Sequence, residues 1–165
     1  MNTGAGDDRV TVGSTMEIDG SASVNLGEGA NDFDTLALGS ILGNLWLSVG
    51  NGDNLAMSLA GTVGGTLALF QGNGANGTVT ISTVPARLLY RGGNGGAAAT
   101  DNVIDLAGTG TYLVDMVYGT GFGGLTLSGG ATQTLTGIVV GTGGTYAFNQ
   151  GAAVLAPELV FINFP

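Results

Sequence analysis

The sequence predicts an all-β fold, a parallel β-solenoid (β-helix) of about seven coils, and three observations carry that prediction. The first is a Gly-x-Gly tripeptide that recurs at Gly4-Ala5-Gly6, Gly27-Glu28-Gly29, Gly50-Asn51-Gly52, Gly72-Asn73-Gly74, Gly93-Asn94-Gly95, Gly119-Thr120-Gly121 and Gly141-Thr142-Gly143. Successive copies lie 23, 23, 22, 21, 26 and 22 residues apart. A chain with 33 glycines produces isolated matches by chance, but not at near-constant spacing, which is the mark of a stacked repeat. The second is the period of the intervening residues, which is two rather than 3.6. The third is composition: 44% of residues are hydrophobic, enough for a core, yet no stretch of ten or more has helical amphipathicity.

The expected organisation is a single domain, 1–165, with coils starting near 4, 27, 50, 72, 93, 119 and 141. Each coil of 21–26 residues holds roughly three short strands. The first offers Val10-Thr11-Val12, Met16-Glu17-Ile18 and Ala22-Ser23-Val24-Asn25-Leu26. The second offers Leu36-Ala37-Leu38, Ile41 and Leu45-Trp46-Leu47-Ser48-Val49, and the third Met57-Ser58-Leu59, Val63 and Leu67-Ala68-Leu69. The fourth reads Val79-Thr80-Ile81, Val84 and Leu88-Leu89-Tyr90; the sixth reads Leu125-Thr126-Leu127, Leu135 and Ile138-Val139-Val140. The fifth carries the longest excursion, Ala97-Ala98-Ala99-Thr100. Alternation of this kind points apolar residues inward and small polar residues outward, with glycine supplying the tight corners. At about 4.8 Å per coil, seven coils make a rod about 34 Å long.

Charge narrows the function classes. Three bases, Arg9, Arg87 and Arg91, stand against 12 acids, for a net charge of −9, with no Lys and no His. Nucleic-acid binding needs a basic patch to neutralise phosphates, and this chain has none to offer. Membrane insertion is not expected either, because no run approaches about 20 apolar residues. With no Cys, thiolate metal sites and disulfides are excluded. The start, Met1-Asn2-Thr3-Gly4, lacks the pattern of a cleavable export signal, which leaves two readings of an exported form: a processed boundary at Met1, or a signal elsewhere.

The fifth residue of each unit is Asp8, Asn31, Asn54 and Asn76, and then Ala97, Gly123 and Thr145. The preferred reading of the first four is a stacked Asx ladder, its side chains bonding the turn backbone. The competing reading is calcium: Asp7, Asp8, Asp32, Asp34 and Asp53 cluster in the first three coils and could supply the oxygen ligands of one or two weak sites. The run Gly4-Ala5-Gly6-Asp7-Asp8-Arg9-Val10 resembles the calcium-binding nonapeptide (RTX-type) repeat, and the chain as a whole resembles the glycine-rich β-solenoid repeats of secreted bacterial surface proteins. That resemblance implies an extracellular or cell-surface location in a bacterium, with calcium or glycan as a possible ligand. The later coils depart from the motif by carrying Asn or smaller residues where it has Asp, and the unit is longer than two nonapeptides.

Other candidate chemistry is thin. Gly72–Gly77 and Gly119–Gly124 match Gly-x-Gly-x-x-Gly, but a dinucleotide site needs a following helix, so both are read as corners. Threonines of Thr78-Val79-Thr80 and Thr132-Gln133-Thr134-Leu135-Thr136 do not align between coils as an ice-binding face requires. A polysaccharide-cleaving reading would rest on Asp101, Asp105 and Asp115 with Arg87 and Arg91. Catalysis, like a required cofactor, is not expected. The expected role is a structural protein whose copies join head to tail into a filament or surface layer. The apolar tail, through Leu159, Phe161, Ile162 and Phe164, either folds over as a cap or makes this contact, against a polar first coil bearing Asp7, Asp8, Arg9, Glu17 and Asp19.

Overall fold

The computed structural model describes residues 1–35, 37, 39–98 and 100–164, and no helix occurs among them. The first coil consists of β1 (Arg9–Val12), β2 (Glu17–Ile18) and β3 (Ala22–Asn25). The second holds β4 (Asp32–Thr35), β5 (Ser40–Ile41) and β6 (Leu45–Val49), and the third β7 (Met57–Leu59), β8 (Thr62–Val63) and β9 (Thr66–Gln71). The next three coils hold two strands each: β10 (Val79–Ile81) with β11 (Arg87–Arg91), β12 (Val103–Leu106) with β13 (Gly110–Tyr118), and β14 (Phe122–Leu127) with β15 (Gln133–Gly141). The last coil is β16 (Thr145–Asn149), β17 (Val154–Leu155) and β18 (Val160–Ile162).

Every ladder between coils is parallel, as the repeat requires. A seven-stranded sheet runs β1-β4-β7-β10-β12-β14-β16, and a three-stranded sheet runs β2-β5-β8. An eight-stranded sheet runs β17-β15-β13-β11-β9-β6-β3, with β18 also pairing β15. The third side thus exists only in the first three coils. In the fourth coil its place is taken by Ser82–Ala86, where Pro85 has no N–H to give a ladder. In the fifth and sixth coils it merges into the nine-residue strands β13 and β15, which pair along their whole length. Gly137, at φ +116, permits the bend this demands, and a side chain there would strike the backbone of Val114 one coil earlier.

The core is a set of inward columns. On the seven-stranded sheet Val10, Phe33, Met57, Val79, Ile104, Leu125 and Phe148 follow one another. Facing them on the eight-stranded sheet are Val24, Leu47, Leu69, Tyr90, Met116, Val139 and Phe161. Most are fully buried, with Phe33, Leu47, Leu69, Tyr90 and Met116 at 0% exposure. In the second coil the structure corrects the sequence: its first strand is Asp32–Thr35, not Leu36-Ala37-Leu38, of which Leu36 and Leu38 lie outside the described residues. The alternation Asp32-Phe33-Asp34 was masked by its two carboxylates, which stand on either side of a core phenylalanine.

Candidate functional site

The Gly-x-Gly corner is where sequence and chemistry meet. Its glycines stack directly on their counterparts: a Cβ at Gly27 or Gly50 would collide with the backbone of Gly4 or Gly27 respectively. The second glycine also has a positive φ, +137° at Gly52 and +136° at Gly74, a region side chains rarely enter. Beside this spine runs the Asx ladder. Asn31 Oδ1 accepts from the Asp8 amide at 3.1 Å, and Asn54 Oδ1 accepts from the Asn31 amide at 3.1 Å. Asn54 then donates to Asn76, and Asn76 donates to Asn102 Oδ1 at 2.7 Å. The amide groups of Asn31, Asn54 and Asn76 also reach back to carbonyls of their own corner glycines. Alignment by residue count placed Ala97 at the next rung. The structure places Asn102 there, because the fifth coil carries its extra residues between the corner and the ladder position.

A second, exposed ladder was missed. The middle residues of five successive tripeptides are linked: Asn51 donates to Glu28 Oε1 at 3.2 Å, Asn51 Oδ1 accepts from the Asn73 amide at 2.8 Å, and Asn73 Oδ1 accepts from the Asn94 amide at 2.7 Å. Asn94 Oδ1 then accepts from the Thr120 amide at 2.9 Å. The signal was present, since the tripeptide reads Gly-Asn-Gly three times running.

The five calcium candidates are distributed among structural contacts. Asp7 and Asp53 each accept an amide N–H of the following coil, from Ala30 and Ala75, at 2.8 Å. Asp34 accepts the Ser58 amide at 2.9 Å and pairs with Arg9 at 3.0 Å, while Asp32 pairs with Arg9 at 3.2 Å. Asp8 Oδ2 and Asp32 Oδ1 are buried without a hydrogen-bond partner. Burial first, and the charge of Asp34 second, raise the Asp32 pKa, with Arg9 opposing. No group of three or more carboxylates converges in a metal-holding arrangement among the described residues. Nor do Asp101, Asp105 and Asp115 meet: Asp101 accepts from the Ala97 and Ala98 amides, Asp105 lies on the seven-stranded sheet, and Asp115 lies on the eight-stranded sheet between Arg87 and Arg91 at 3.1 and 3.0 Å.

The ends of the rod differ from the expected polar and apolar pair, because both cross-sections are apolar. At the first coil a cavity of about 440 Å³ is lined by Val10, Val12, Met16, Ile18, Ala22 and Val24 above Phe33 and Ile41. The acids of that coil are carried on its periphery, and Met1–Thr3 covers only part of β3, bonding to Ser23 and Asn25. At the other end Tyr146, Phe148, Leu155, Leu159 and Phe161 are half-buried against the core. Phe164 folds in to 8% exposure and packs on Tyr118 and Tyr146 with ring centroids 5.1 Å away in each case. The four predicted tail contacts therefore divide: Leu159, Phe161 and Phe164 pack on their own chain, and Ile162, 45% exposed, faces outward.

These aromatic rings extend an internal column through Tyr118 to Tyr90, centroids 4.9 Å apart, that sequence reasoning did not anticipate. Each hydroxyl is satisfied: Tyr90 donates to Gln71, Tyr118 to the Gly124 carbonyl and Tyr146 to the Gly119 carbonyl. Burial raises the phenol pKa of Tyr90 and Tyr118, and pushes that of Tyr112 up to about 12. Comparison with known proteins matches no family model, no curated protein and no solved structure to this chain.

Proposed function

We propose that the chain is a structural β-solenoid subunit, of an extracellular filament or surface layer, whose copies join end to end. The observation that carries this reading is the match between the two terminal cross-sections. The cavity over Phe33 and Ile41 has the lining of an interior coil without the next coil above it. The half-buried layer of Tyr146, Phe148 and Phe161 has the composition of an interior coil without the next coil below it. Laying one on the other would continue the parallel ladders and the inward columns across the junction, which is a heterologous, non-closing contact. The same surfaces would accept a further coil of a longer polypeptide, as in a repeat segment of a large secreted adhesin, because the physics of the junction is identical in both cases.

The test uses two variants and their mixture. Electron microscopy of the unaltered chain should show filaments with a repeat near the rod length of about 34 Å. Val10→Asp, which charges the first cross-section, and Phe148→Asp, which charges the last, should each abolish filaments while keeping the β circular-dichroism spectrum. Mixed together they should regain end-to-end joints, one of each variant to a joint, since each retains the end the other lacks. Dispersed rods of the unaltered chain at high concentration, or filaments that survive both substitutions, would sink the proposal.

A further inference from the structure

The two large sheets have different outer faces. Along the seven-stranded sheet the outward column is Thr11, Asp34, Ser58, Thr80, Asp105 and Thr126, uniformly polar. Along the eight-stranded sheet the outward positions include Trp46, Phe70, Leu113, Ile138, Val160 and Ile162, each 37–46% exposed. Register brings them together: one column runs Trp46, Ala68, Leu89, Asp115, Ile138 and Val160, and the next runs Phe70, Arg91, Val117, Val140 and Ile162. A mainly apolar face of this length, interrupted at mid-rod by the Arg87–Asp115–Arg91 ion pairs, marks an interaction site.

Charge identifies the occupant. This face carries Arg87 and Arg91, which pair with Asp115, and also Glu158, held by Thr136 at 3.2 Å. Two positive and two negative groups cancel, so the whole net charge of −9 belongs to the rest of the molecule. Two identical acidic rods that meet here place no unbalanced charge in the contact itself. The footprint suits a modest contact: seven coils at about 4.8 Å by five residues at about 3.3 Å cover about 550 Å² per copy, or about 1,100 Å² in all, just above the roughly 1,000 Å² a specific interface needs.

We propose that two copies of this chain pair laterally through the outer face of the eight-stranded sheet. The contact uses a side of the rod rather than its ends, so it stands or falls apart from end-to-end joining. Sedimentation equilibrium of the full chain carrying Val10→Asp, and separately Phe148→Asp, isolates it by charging one end. Both proteins should weigh as dimers at about 100 µM, a concentration at which a micromolar contact is nearly saturated. Adding Ile138→Glu or Trp46→Glu, both at exposed positions, should return monomers with an unchanged circular-dichroism spectrum. Monomers before that substitution, as expected if a glycan or another protein covers the face instead, would overturn the proposal. So would a dimer indifferent to both added glutamates.

Discussion

At the residue scale, the asparagines and the acids of the corner do comparable work with opposite burial costs. Asn54 is 2% exposed, donates to Gly50, Gly52 and Asn76, and accepts the Asn31 amide. Asn54→Ala strands several of these buried groups at once, and is expected to destabilise the fold by about 2–4 kcal/mol in denaturant melts. Asn73→Ala, in the exposed ladder, leaves its partners to water and should lose less than about 1 kcal/mol. Asp32 provides a pH test. Its folded-state pKa is raised above 3.8, so the protonated form is favoured by folding. Its stabilising contribution is therefore complete below that value and lost as pH rises through the raised pKa. Asp32→Asn should melt higher than the parent at pH 7, with the difference closing by pH 3. An unchanged difference across that range would mean that Arg9 compensates the buried charge in full.

At the element scale, the corners tolerate substitution least, because their glycines stack backbone on backbone. Gly52 combines a φ of +137° with direct stacking on the backbone of Gly29, and neither backbone can yield without breaking the ladder. Gly52→Ala should accordingly lower stability by about 2–4 kcal/mol, whereas Gly13→Ala, with nothing within 4 Å of the added methyl, should stay within about 0.5 kcal/mol. Urea melts of the two variants measure the contrast. Elements of the apolar columns were readable from alternation wherever small or hydroxylated residues separated the inward positions, as in Met57-Ser58-Leu59. Alternation failed as a guide at Asp32-Phe33-Asp34, where the strand is flanked by charges, and at β15, where the expected pieces at Leu135 and Ile138-Val139-Val140 are one strand.

At the scale of the whole molecule, the ladders join each coil only to its neighbours, and apolar side chains line both ends of the rod. That is the state from which a repeat protein assembles or continues. The acidity opposes association by long-range repulsion, and salt screens it with a Debye length that falls from about 30 Å at 0.01 M to about 8 Å at 0.15 M. Assembly of the unaltered chain, followed by light scattering, is therefore expected to strengthen over that interval. Weakening with salt would indicate contacts dominated by ion pairs instead.

The sequence by itself determined the solenoid, its seven coils, the glycine spine and the Asn31, Asn54 and Asn76 rungs of the Asx ladder, because each depends only on a residue's distance from the nearest corner; Asp8, expected as a fourth rung, joins through its backbone amide alone. The tertiary structure decided what depends on stacking. Residues 22 to 26 apart become partners only once every coil's length is absorbed at a particular place, and this is why Asn102 rather than Ala97 completes the ladder. The same register gathers Trp46, Phe70, Ile138 and Val160 from four coils onto one face and turns the predicted calcium ligands toward backbone amides and Arg9. No local pattern encodes that gathering, since each residue alone is an ordinary outward position of a short strand.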